Sequence, residues 1–160
     1  MTPMAAERLL LDTNVLLAAT DRARRLHDAA FELLVSDPRT LAVTTQVMRE
    51  FLAVATRPMR ANGLGQSGLV AVANLEELTR DLDVLAESAQ SMDRLMSLVR
   101  TAEVGGKQVH DANLVAVALT NEVNTIVTDN ISDFARFAER VDEERARERA
   151  PFHDRHAVLA

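Results

Sequence analysis

Five acidic residues of this chain, Asp12, Glu50, Asp111, Asp129 and Asp133, stand where carboxylates can do chemistry. Asp12 follows the apolar run Leu9-Leu10-Leu11, and Asp129 follows the β-rich stretch 124–128, NTIVT. Ligands of an open parallel sheet sit beyond the carboxyl ends of its strands, so neighbouring strands would bring these two carboxylates together. Glu50 shares a helical stripe with Val47, Phe51, Val54 and Ala55. Asp111 stands at helical spacing from Leu114, Val115 and Ala118. A carboxylate turned toward a core is costly unless compensated, and several together raise one another's pKa. A divalent cation relieves both penalties. An oxygen-only set suits a hard ion, Mg²⁺ or Mn²⁺ rather than Zn²⁺.

Each acid also has an ordinary structural alternative. Asp12 with Thr13-Asn14 can cap a helix, and Asp111 can be a first-turn acid favoured by the helix dipole. Asp129-Asn130 can form a turn with Ser132-Asp133 capping the next segment, and Glu50 can lean toward solvent. The constellation points to a site because all five positions gather at one edge of one sheet.

The elements that must position these groups are legible from periodicity. Strands are expected at 8–11, 41–43, 82–85 and 124–128. Helices are expected after Asp12, over 23–35, from a Thr44 or Thr45 cap to Arg57-Pro58, from Ser67, from Ser88 to Gly105-Gly106, and over 110–121. Alternating strands and helices predict an α/β fold, a three-layer α/β/α sandwich with a central parallel sheet. One domain is expected over 1–160. Within it, 139–160 forms a charged C-terminal extension that reads as a solvated helix or an unfolded segment, and Ala157-Val158-Leu159 is a candidate short strand.

Composition narrows the class. The chain has 160 residues, 48% hydrophobic and 26% charged, enough for one full-sized core. It has no cysteine, which removes disulfides and thiolate-bound zinc. The opening lacks a signal-peptide layout and no stretch is long enough to span a bilayer, so a cytoplasmic location away from membranes is expected. The net charge of −6 argues against gripping nucleic acid by bulk attraction but permits a local basic rim. Arg22, Arg24, Arg25, Arg57, Arg60 and Lys107 are the candidates for that rim, with ordinary solvated surface as the alternative for each.

Around these residues the sequence resembles the PIN-domain family, and most closely its VapC-type toxins. The likeness rests on LLLDTNVLL at 9–17, TTQVMREFLAVATRP at 44–58 and HDANLVAVALTNEVNTIVTDNISDF at 110–134, in that order. The resemblance implies an acidic tetrad of Asp12, Glu50, Asp111 and Asp129, with Asp133 a further acid near the metal and with Asn14 and Thr128 orienting the site. It implies metal-dependent endonucleolytic cleavage of RNA using Mg²⁺ or Mn²⁺, leaving a 5′-phosphate and a 3′-hydroxyl. In that scheme Asp12, Asp111 and Asp129 ligate the ion and Glu50 binds it or orients the attacking water. Arg22, Arg57, Arg60 and Lys107 would bind RNA. A homodimer and a cognate antitoxin in the active-site groove are also implied. The charged run after Phe134 departs from the family's usual ending, a short strand and a proline, which leaves the last sheet edge open.

Other signals carry less. Gly63 to Gly68 matches GxGxxG, but a helix rather than a strand precedes it, so an inter-helix loop is expected. His153 and His156 lack a third ligand. Met92, Leu95, Met96 and Val99 read as core or dimer packing. His110 points about 100° away from Asp111 on an ideal helix and is read as structural or RNA-facing. A haloacid-dehalogenase-like phosphatase wants an aspartate where Asn14 stands, and a phospho-accepting receiver wants a lysine after a strand, which Lys107 is not. A PIN-like module that binds RNA or protein without cutting is the remaining alternative.

Overall fold

In the computed structural model, residues 7–137 are described. The expected charged extension, its candidate strand and the His153/His156 pair lie outside them.

Four strands form one parallel sheet: β1 (Arg8–Leu11), β2 (Thr40–Thr44), β3 (Asp83–Leu85) and β4 (Thr125–Val127), in the order β3-β2-β1-β4. The registers pair Leu9 with Leu41 on one side and with Thr125 on the other. β1 is central and covered on both faces, so its apolar run is continuous rather than alternating, and Leu9, Leu10 and Leu11 are fully buried. A receiver domain places β1 between β2 and β3, whereas here it lies between β2 and β4, so that topology is excluded.

Six α-helices follow in chain order: α1 (Thr13–Thr20), α2 (His27–Ser36), α3 (Thr45–Ala55), α4 (Gly68–Thr79), α5 (Ala89–Ala102) and α6 (Gln108–Thr120). Residues 131–137 are also helical. Right-handed crossovers place α1 to α4 on one face of the sheet, and the reversal after β3 places α5 and α6 on the other. The packing agrees, with α1 against α2 and α3, α3 against α4, and α5 against α6. The result is the expected three-layer α/β/α sandwich.

Caps fix several helix starts. Thr44 accepts from the Val47 amide, Ser67 from Val70, and Ser88 and Ser91 form a reciprocal capping box. Two expected boundaries move by three residues or more. The helix expected from Ala23 begins at His27, because the Asp21 carboxylate accepts from the Ala23 amide and holds a turn. The helix expected to stop at the glycine pair stops at Ala102, with Glu103 taking the left-handed conformation itself.

The glycine-rich segment is the inter-helix loop expected, and it closes the end of α3. Its amides at Leu64, Gly65 and Gln66 donate to the carbonyls of Val54, Arg57 and Ala55. A Cβ on Gly63 would lie 2.0 Å from the Arg57 carbonyl oxygen, so only glycine allows that approach. The stripe on α5 is only partly core: Leu95 is buried, whereas Met92 and Met96 are exposed.

Candidate metal centre

The carboxyl edge of the sheet carries the acids. Between β1 and β4 the strand order reverses direction, and Asp12 and Thr128 emerge there side by side. The β1–β4 pairing runs to the Asp12 amide, which donates to the Val127 carbonyl at 3.0 Å. Asp12 occupies the N-cap position of α1, so the capping alternative describes part of its role. Its carboxylate accepts from the Thr13 amide at 2.7 Å, the Thr128 hydroxyl at 2.8 Å and the Asn14 amide at 3.1 Å. Asn14 also donates to the Thr128 hydroxyl oxygen and accepts from the Asp129 amide. Asn14 and Thr128 therefore both stand against Asp12.

Glu50 comes in from the α1–α4 layer. It is turned inward rather than to solvent: the Thr13 hydroxyl donates to one carboxylate oxygen at 2.8 Å, and the Gln46 amide donates to the other at 2.7 Å. Asp111 comes from the opposite layer, in the first turn of α6. Asp133 lies in the helical stretch 131–137, where Phe134 and Phe137 are buried and anchor that stretch to the core. The Asn130 side chain donates to Asp133 at 2.5 Å.

These four carboxylates share one electrostatic field. Burial pushes the Asp12 carboxyl above the usual range, opposed by its hydrogen bonds to Thr128 and Thr13, with Glu50 and Asp133 raising it further. Asp111 is pushed up to about 6, first by desolvation and then by Asp12, Asp133 and Glu50, with His110 acting in the opposite direction. Asp129 stands apart. It is exposed and ion-paired to Arg25 at 3.2 Å, and it is not among the charges acting on Asp12 or Asp111.

The rim candidates divide by position. Arg25 is the member of the set whose guanidinium reaches a site carboxylate among the described residues. Arg57 lies past the end of α3, seven residues after Glu50 and on the far side of that helix from the sheet's carboxyl edge. Arg60 follows in a single 3-10 turn at Met59–Ala61, and both side chains are exposed. Arg22 lines a cleft of about 660 Å³ with His27, Phe31, Gln66 and Asn74, between α2 and α4. Lys107 is exposed just before α6. His110 is exposed, and its backbone carbonyl faces the site by accepting from Gln46.

Sequence reasoning missed Thr13, Gln46 and Asn113. Gln46 is the clearest omission, since it is 6% exposed and stands one helical turn before Glu50 on the same buried stripe. A polar residue four positions before an acid on the same stripe was the available signal.

Among the described residues, no three His, Asp or Glu side chains stand together as a ready-made cage for a metal. Mg²⁺ seldom needs one, since it keeps several waters and takes one or two carboxylates plus substrate phosphate. The donor set fits such an ion: hard oxygens, with two of the acids driven toward protonation first by burial and then by the neighbouring carboxylates.

The Asp111 shift predicts a pH dependence of stability in metal-free protein. A folded pKa near 6 against an ordinary 3.8 means that the native state holds this proton more tightly. Its contribution is present below the unfolded value and is lost as pH rises through about 6. Thermal melts in EDTA should show wild type losing Tm from pH 5 to pH 7 relative to Asp111→Asn. Parallel curves for the two proteins would contradict the shift.

The chain belongs to the PIN domain family, whose model matches residues 9–140. No curated protein sequence matches it closely. Its fold is similar to that of VapBC2 from Rickettsia felis, solved bound to a promoter DNA fragment, with 20% identity, TM-score 0.61, and 81% of this chain and 92% of that one covered. It is similar to VapBC from Salmonella typhimurium, also DNA-bound, at 18% identity and TM-score 0.61 over 96% and 99% of the two chains. It is similar too to Mycobacterium tuberculosis VapC20, described as a sarcin-ricin loop cleaving toxin, at 22% identity and TM-score 0.58 over 74% and 86%. No helix among the described residues is long and apolar enough to cross a membrane.

Proposed function

We propose that this protein is a Mg²⁺- or Mn²⁺-dependent endoribonuclease, the toxin of a toxin–antitoxin pair. The observation that carries the reading is the mutual electrostatic coupling of Asp12, Glu50, Asp111 and Asp133 at the carboxyl edge of a PIN-domain sheet. Asp12 and Asp111 would hold the ion directly, with Asp133 and Glu50 reaching it through water. When bound, a divalent ion neutralises charge on the phosphate oxygens and makes an attacking water acidic enough to act near neutral pH.

The chain's own residues supply the rest. Asn14, Thr128 and the Thr13 amide keep the Asp12 carboxylate in one orientation. Glu50, held by Thr13 and Gln46, orients the attacking water and takes its proton as the phosphorus–oxygen bond forms. The bond to the ribose 3′ oxygen breaks and that oxygen takes a proton from solvent water, leaving a 5′-phosphate and a 3′-hydroxyl. Arg25 and Asp129 lie at the rim, where the guanidinium can transfer from carboxylate to RNA phosphate.

The similar structures solved as VapBC complexes support a cognate antitoxin for this chain as well. A homodimer acting in the cytoplasm completes the proposal. Purified, partner-free protein should cut a mixed pool of transfer, ribosomal and messenger RNA in Mg²⁺ or Mn²⁺ and should stop in EDTA. RNA binding in Mg²⁺ without any product would favour an inert binding module instead.

A further inference from the structure

Glu50 and Asp111 ride on opposite helix layers. α3 packs with α1 and α4, whereas α6 packs with α5. Something must fix one acid relative to the other across the sheet's edge, and Gln46 is placed to do so. Its side-chain amide donates to Glu50 at 2.7 Å and to the His110 carbonyl at 3.0 Å. Its oxygen accepts from the Asn113 side chain at 2.6 Å. One buried carboxamide thus grips a site acid on α3 and two points on α6, on either side of Asp111.

We infer that Gln46, locked by Asn113, is a positioning residue that sets the placement of Glu50 relative to Asp111 and so tunes the cation affinity of the site. The amide is suited to this. Both of its donors and its acceptor are engaged, so the side chain has one satisfied orientation in a buried position where an unpaired polar group is costly. The Thr13 hydroxyl holds the second Glu50 oxygen, and together the two donors leave the carboxylate little rotational freedom. Groups that orient metal-binding carboxylates typically influence metal affinity about 10–100-fold.

This inference rests on the metal reading proposed above, and its test is metal binding rather than cleavage. Mn²⁺ affinity would be titrated at fixed pH for wild type, Gln46→Met, Asn113→Ala, Glu50→Gln and the Gln46→Met/Glu50→Gln double variant. Circular dichroism and Tm would check folding. Methionine nearly matches glutamine in volume and suits the buried position.

Gln46→Met should weaken Mn²⁺ binding about 10-fold, with a smaller loss for Asn113→Ala. The double variant should bind no worse than Glu50→Gln alone, because Gln46 acts through Glu50. A purely structural Gln46 would instead give losses that multiply. Wild-type affinity in folded Gln46→Met, or multiplying losses, would overturn the inference. So would a wild type that binds no Mn²⁺, which would sink the metal reading with it. Mn²⁺ binding that follows the expected pattern without RNA cleavage would leave the inference standing and remove only the ribonuclease reading.

Discussion

Asp12→Asn should lower the RNA-cleavage rate on the order of 10³-fold or more while leaving the fold in place. The substitution keeps size and shape but removes the charge at the point where the two helix layers meet. It also replaces one acceptor oxygen with a donor. Thr13, Asn14 and Thr128 all direct hydrogens at this carboxylate, so an NH₂ group facing them would disturb its orientation as well as its charge. A loss confined to kcat, with RNA affinity retained, would place the role of Asp12 in the chemical step. Initial rates on a defined RNA, with circular dichroism as the folding control, provide the measurement. Activity within tenfold of wild type would contradict the role assigned to Asp12.

The largest effect on stability is expected at Phe51. It is fully buried and follows Glu50 directly, wedging α3 into the core beneath the site. Phe51→Ala should cost about 3–5 kcal/mol through lost burial and the cavity left behind. That is a large share of the roughly 5–15 kcal/mol holding a domain together. Denaturant unfolding monitored by circular dichroism would measure it. A loss below about 1 kcal/mol would mean that α3 does not pack as described, and the placement of Glu50 and Gln46 would fall with it.

Much of this was readable from the chain because its local signals agree with its tertiary structure. The unbroken apolar run before Asp12 required a strand covered on both faces, and β1 is that strand. The helical stripes carrying Glu50 and Asp111 turned both acids toward the sheet's edge, since neither stripe had another surface to cover. Thr44, Ser67 and Ser88 announced their helices by side-chain capping, which depends only on neighbours within a few residues.

What stayed hidden depended on distant partners. Thr128 is buried and turned onto Asp12, so in extended chain the next side chain, Asp129, faces the other way and meets Arg25. Arg25 is 104 positions away in sequence, and no local pattern joins the two. The bond between Gln46 and Asn113 spans 67 positions and depends on how two helix layers meet. The turn at Asp21 was missed for a different reason: apolar periodicity continued through it, while one carboxylate captured the backbone and delayed the helix.

The proposed mechanism stands on one point, that Asp12, at the end of β1, and Asp111, in the first turn of α6, together hold a divalent cation. Anomalous scattering from crystals soaked in Mn²⁺ would locate that ion. A peak is expected about 2.0–2.2 Å from an oxygen of each carboxylate, with Glu50 or Asp133 reached through water, and it should vanish in Asp12→Asn. Well-diffracting crystals with no peak between these residues at saturating Mn²⁺, or a peak that ignores the Asp12 substitution, would refute the shared-ion site.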